Sequence, residues 1–227
     1  MDNLDKAARM AGQAFENGIR LHRDSIKLFE MSSYPSAFQL SVLAQEEIGK
    51  ALLIEDYIFY STVNEANDDI ETSEIEKTEL LKALRSHQTK QQKFSYHVDE
   101  GRRYGRTTRF PKLMRESFSG KLDQRKQNAI YVGLTLKNGK VDPNGRISSP
   151  SKRVKLDDAK KHITRVSDYL LELSEGVLRD VISVDTENVE NYLTSSLINE
   201  LEKIWPYKSV EIRTKLVKLR KIPLTQQ

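Results

Sequence analysis

The sequence predicts an all-α fold, an antiparallel helical bundle carrying a basic, partly extended insertion with a short hairpin and ending in a C-terminal helical extension. Apolar residues recur at the three-and-four spacing of one-sided helices over several long stretches. Helix breakers are few, with 10 glycines and 6 prolines in 227 residues. Charged residues at 31% and hydrophobic ones at 37% suit amphipathic helices around a core better than a disordered chain.

A first helix is expected from Leu4 to Met31, with Ala8, Ala11, Phe15, Ile19, Ile26 and Phe29 inward and His22 in the same stripe. "SSYPSA" breaks it, and Pro35 suits the opening turn of a second helix reaching Thr62. Its inward stripe reads Leu40, Leu43, Glu47, Lys50, Ile54 and Ile58. After an acidic loop, a third helix is drawn from Ser73 to Val98 through Leu80, Leu84, His87, Gln91, Phe94 and Val98.

Gly101 to Arg115 carries five arginines and one lysine without an acid, and reads as an irregular basic connector. "DQRK" begins as a helical turn, alternation at Ile130, Val132 and Leu134 is extended, and Asn138-Gly139 signals a hairpin. A fourth helix follows from Leu156 to Ile182 and a fifth from Thr186 to Trp205, stopped by Pro206. The last twenty residues look like a terminal helix or arm outside the main core. The expected division is a helical domain over 1–183, including the insertion 101–155, and an extension over 184–227.

There is no cysteine, which excludes disulfides and thiolate metal sites and suits a reducing compartment. The opening residues lack the basic flank and apolar run of a secretion signal, and no long window is free of charge. A cytoplasmic protein that does not enter the membrane is expected. The net charge of +4 is small, so charge placement matters more than its total.

Three stripes change from apolar to polar at compatible heights if consecutive helices are antiparallel neighbours. That brings His22, Glu47, Lys50, His87 and Gln91 towards one layer. Buried charges are paired or face water, so Glu47 and Lys50 also suit a register-setting ion pair. With Lys90, Arg125 and Lys126 the layer suits metal-independent RNA cleavage: His87 as general acid or base, Glu47 as its orienting partner, the cations on phosphate. His22 reads as a core or supporting histidine, and His97 and His162 as surface residues. Arg102, Arg103, Arg106 and Arg109, interleaved with Tyr104 and Phe110, suit a nucleic-acid backbone with base stacking as well as a solvated loop. Glu46 and Glu47 are adjacent and point to different sides, so no metal and no other cofactor is expected.

"SVLAQEEIGKALLI", "HQTKQQKF" and "DQRKQNAIYVGL", in that order, resemble the AbiV family of bacterial abortive-infection proteins, a branch of the HEPN superfamily. The resemblance implies a HEPN-like helical bundle that is often a homodimer, and a role in arresting growth or translation during phage infection. It implies site positions at Glu46, Glu47, Lys50, His87, Lys90, Arg125, Lys126 and Tyr131; Gln91 and His22 are supporting residues read from the polar layer. RNA or the ribosome is the expected partner, with a phage-encoded activator; a non-catalytic module binding RNA, ribosome or a phage protein is the alternative. The superfamily's ribonuclease signature, Arg then four to six residues then His, is not matched: Arg85 and His87 are one residue apart and Arg153 and His162 eight.

Overall fold

The computed structural model describes residues 3–66, 70–100, 111–134, 136–137, 140–178, 189 and 192–219. The chain is an all-α bundle. Its long helices are α1 (Asn3–Glu30), α2 (Tyr34–Ala66), α3 (Ile70–Arg85), α4 (His87–Glu100) and α8 (Leu156–Leu178). Short helices α5 (Pro111–Phe118), α6 (Lys121–Asn128) and α7 (Pro150–Arg153) lie between α4 and α8, and α9 (Ser195–Ile204) and α10 (Val210–Leu219) follow α8. Two nested antiparallel ladders of two residues each, β1 (Gly133–Leu134) with β4 (Ile147–Ser148) and β2 (Leu136–Lys137) with β3 (Lys140–Val141), form the hairpin expected there. Asn138 and Gly139 lie outside the described residues.

Helix α2 is the axis of the bundle, packed by α1, α3, α4, α6, α7 and α8. It is consequently buried around most of its circumference: Phe38, Val42, Ala44, Ile48 and Leu52 are inaccessible, and Gln45 and Glu46 are buried with them. Of the stripe expected to face inward, Ile54 is buried, while Leu40, Leu43, Glu47, Lys50 and Ile58 lie on the half-buried side. Apolar residues all round the helix left periodicity no single face to select.

The third helix is two helices. Ser86 ends α3 and caps α4, its Oγ accepting the Thr89 amide at 3.1 Å, which places His87 at the first position of α4. The basic connector ends at Pro111, which opens α5. Helices α5 and α6 bury Leu113, Ser117, Leu122 and Lys126, so this part of the expected insertion belongs to the bundle. Within the span expected for the fifth helix, Val189 is helical and Ser195–Ile204 forms a helix capped by Thr194, which accepts the Leu197 amide, while Thr186 lies outside the described residues.

The C-terminal segment packs on the bundle, and within the last twenty residues Ile212 of α10 joins the core. Val189, Leu193, Ile198, Leu201 and Ile212 share a core with Phe15, Ile48, Phe94 and Leu170. Trp205 joins a second core with Ile26, Phe38, Leu122 and Ile163, and its ring meets Phe29 edge-on. The buried Glu55 carboxylate accepts the Val189 amide at 2.8 Å.

Candidate functional site

The polar centre is built on Glu46. Its carboxylate is 3% exposed and accepts three hydrogen bonds: His87 Nδ1 at 2.7 Å on Oε2, and Gln91 Nε2 and Lys126 Nζ, each at 2.7 Å, on Oε1. Three elements far apart in sequence meet here, α2, α4 and α6. A buried ion pair is tolerable only when further hydrogen bonds serve its remaining lone pairs and protons, and His87 and Gln91 do so for the Glu46 carboxylate. Lys126 Nζ also lies 2.8 Å from Asp123 Oδ1.

The close approach of α4 makes this possible. A Cβ on Gly49 would lie 2.1 Å from the Lys90 carbonyl oxygen, so only glycine lets the two backbones meet. Gln45 Nε2 donates to the Gln91 carbonyl at 3.1 Å, and Ser95 Oγ donates to it at 2.8 Å. The Ser95 and Ser117 hydroxyls are 2.9 Å apart, and Arg165 donates to Ser95 Oγ at 2.5 Å. The layer behind Glu46 is therefore hydrogen-bonded on α2, α4, α5 and α8.

A carboxylate can only accept, so Nδ1 of His87 carries the proton in this bond. The His87 side chain is 54% exposed, which leaves Nε2 as the nitrogen able to trade protons with a ligand. Lys90, one turn along α4, is buried and has no acidic partner among the described residues. Arg125 is engaged with Glu116 at 2.5 Å and Asp158 at 2.6 Å, and stacks over Phe38. Its chemistry here is structural pairing rather than an open cationic face.

Glu47 does not touch this centre. It accepts from Asn17 Nδ2 at 3.1 Å and lies 3.7 Å from Lys50 Nζ. Asn17 lines a cleft of about 600 Å³ between α1 and α9, with Arg20, Arg23, Tyr192 and Glu200. The carboxylate hydrogen-bonded to His87 is thus Glu46 and not the Glu47 expected from the stripe of α2. Tyr131 is exposed beyond α6. Arg102, Arg103, Arg106 and Arg109 lie outside the described residues, as do Tyr104 and Phe110.

His22 is buried but apart from the Glu46 cluster, and neither ring nitrogen has a partner among the described residues. Burial, with Arg23 nearby, lowers its pKa to about 3. His162, expected on the surface, is fully buried, with Nδ1 2.9 Å from Ser41 Oγ and its ring against Phe38. Burial above all, then Arg165, Arg125 and His22, holds it well below the usual histidine range. His97 is half-buried.

Ligand atoms of Glu46, His87 and Asp123 lie within 4.8 Å of one another, a spacing that could hold a metal ion. The Lys126 ammonium sits against both carboxylates at 2.7 and 2.8 Å, so it takes the charge-balancing place a cation would need. The donor set with Lys126 in place does not fit a metal.

Among the described residues, no helix is long and apolar enough to cross a membrane. No curated protein and no solved structure matches the chain. The HEPN_AbiV family model, AbiV, matches residues 6–171, which span every member of the Glu46 cluster, and the chain belongs to that family.

Proposed function

We propose that the protein acts in abortive infection by binding RNA at the Glu46–His87–Lys126 centre and cleaving it without a metal. Membership of the AbiV family supports the defence role. The observation that carries the chemistry is a buried carboxylate 2.7 Å from Nδ1 of a histidine more than half exposed. Glu46 fixes the tautomer and the ring orientation, and His87 Nε2 takes the proton from a ribose 2'-hydroxyl. The freed oxygen attacks the adjacent phosphorus and the P–O5' bond breaks, the 5'-oxygen taking a proton from solvent water, which leaves a 2',3'-cyclic phosphate and a 5'-hydroxyl. Lys90, which has no acidic partner among the described residues, is a cation that can meet phosphate, whereas Lys126 is held by two carboxylates and supports Glu46.

The arginines between α4 and α5 in sequence add attraction for the RNA backbone. A homodimer is the working assembly, and a phage-encoded activator is the trigger. The paired state of Lys126 and Arg125 favours a second reading, a binding module whose polar layer sets helix register.

RNA integrity after induction of wild type, His87→Ala, Glu46→Gln and Glu47→Gln separates these. Loss of the acid–base group should slow cleavage about 100-fold or more. Glu46→Gln should also impair it, while Glu47→Gln stays near wild type. Undiminished cleavage by folded His87→Ala sinks the catalytic role, and salt-sensitive RNA binding without cleavage by wild type selects the binding module.

A further inference from the structure

Against Gln88, the residue that follows His87, the bundle holds the backbone of an exposed aromatic residue that belongs to none of the buried clusters among the described residues. Phe118 closes α5 and is 46% exposed. Its carbonyl accepts Gln88 Nε2 at 3.1 Å, so its backbone is fixed to the residue that follows His87. Gly120 turns the chain with φ 73°, a left-handed conformation that favours glycine. The Gly120 position also packs on the Gln88 side chain: a Cβ there would lie 3.7 Å from Gln88 Oε1.

The turn is pinned from within as well. The Ser119 amide donates to the Arg115 carbonyl at 3.0 Å and Ser119 Oγ to the Glu116 carbonyl at 3.4 Å. A turn tied at its backbone and bearing an outward ring is a rigid aromatic platform on the first turn of α4.

We propose that Phe118 stacks an unpaired base of the RNA bound at His87, which makes the substrate single-stranded at that site. This rests on the RNA reading above. Every base has a π-face, so a lone ring selects strandedness rather than sequence, and a base held in a duplex cannot reach it. One fixed base beside His87 would also set which phosphodiester lies against Nε2.

The test uses full-length protein and 2'-O-methyl RNA, which lacks the nucleophile, with 2-aminopurine placed at successive positions. Wild type should quench the fluorophore at one position in single-stranded oligomers and leave a duplex unquenched. Phe118→Ala should lose the quench and weaken binding about tenfold, while Phe118→Trp keeps both. Tyr60→Ala, which removes another exposed aromatic on α2, should change neither. Quenching and affinity in Phe118→Ala equal to wild type overturn the platform while leaving the RNA reading intact. Absence of RNA binding by wild type overturns both.

Discussion

His22 and His162 are neutral passengers of the fold, and that makes the protein sensitive to acid. Burial pushes His22 down to about 3 from an ordinary 6.5, and His162 is also held well below 6.5. In the unfolded chain both regain the ordinary value. Above pH 6.5 neither state binds these protons, and the histidines leave stability unchanged. Below it the unfolded chain takes up protons the folded chain refuses, so stability falls as pH drops towards the folded values. At pH 5.5 His22 alone should cost about 1.4 kcal/mol relative to pH 8, and His162 adds a loss of the same sign. Urea denaturation at the two pH values measures the sum, and His22→Leu should make the difference smaller. An equal loss in the variant would assign the acid sensitivity elsewhere. The inward position of His22 was legible from the spacing of α1. That of His162 was not: it lies between two lysines and Ile163, and its partner Ser41 is 121 positions away.

At the scale of elements, the junction of α2 and α4 sets the site. Gly49 stands one turn beyond Glu46, and its missing side chain admits the Lys90 carbonyl. Gly49→Ala forces α4 outward, which strains the Glu46 bonds to His87 and Gln91 together. Overpacking of this kind should cost about 1–3 kcal/mol, read as a lower midpoint in chemical denaturation. An unobstructed helical glycine would instead gain about 1 kcal/mol on the same change, so increased stability would refute the close approach. Two element boundaries carry a local signal in the sequence. Serine before "HQTK" is a helix cap, and Pro111 before "KLMRESF" is a first-turn proline. The choice between Glu46 and Glu47 was not readable from one helix, because α2 is covered on most sides. It depended on Lys126, which meets Glu46 across 80 positions of sequence.

At the scale of the molecule, the family match ends at residue 171 but the cores do not. Val189, Leu193, Ile198, Leu201, Trp205 and Ile212 all lie beyond it and all are buried. Long-range closure of this kind leaves little local trace: α9 shows its apolar face in the sequence, but nothing there says which helices cover it. The consequence is a prediction about truncation. Each such side chain contributes about 1.5–3 kcal/mol when fully buried, and a whole domain is stable by only about 5–15 kcal/mol. Removing residues 184–227 therefore takes away stabilisation comparable to the total. It also leaves the Glu55 carboxylate without the Val189 amide inside a low-dielectric region. A chain ending at residue 183 should lose its cooperative thermal transition by circular dichroism and bind a hydrophobic dye that the full chain excludes. A truncated chain that melts cooperatively at the full-length midpoint would mean that the bundle closes without this segment, and that α9 and α10 only rest on a finished core.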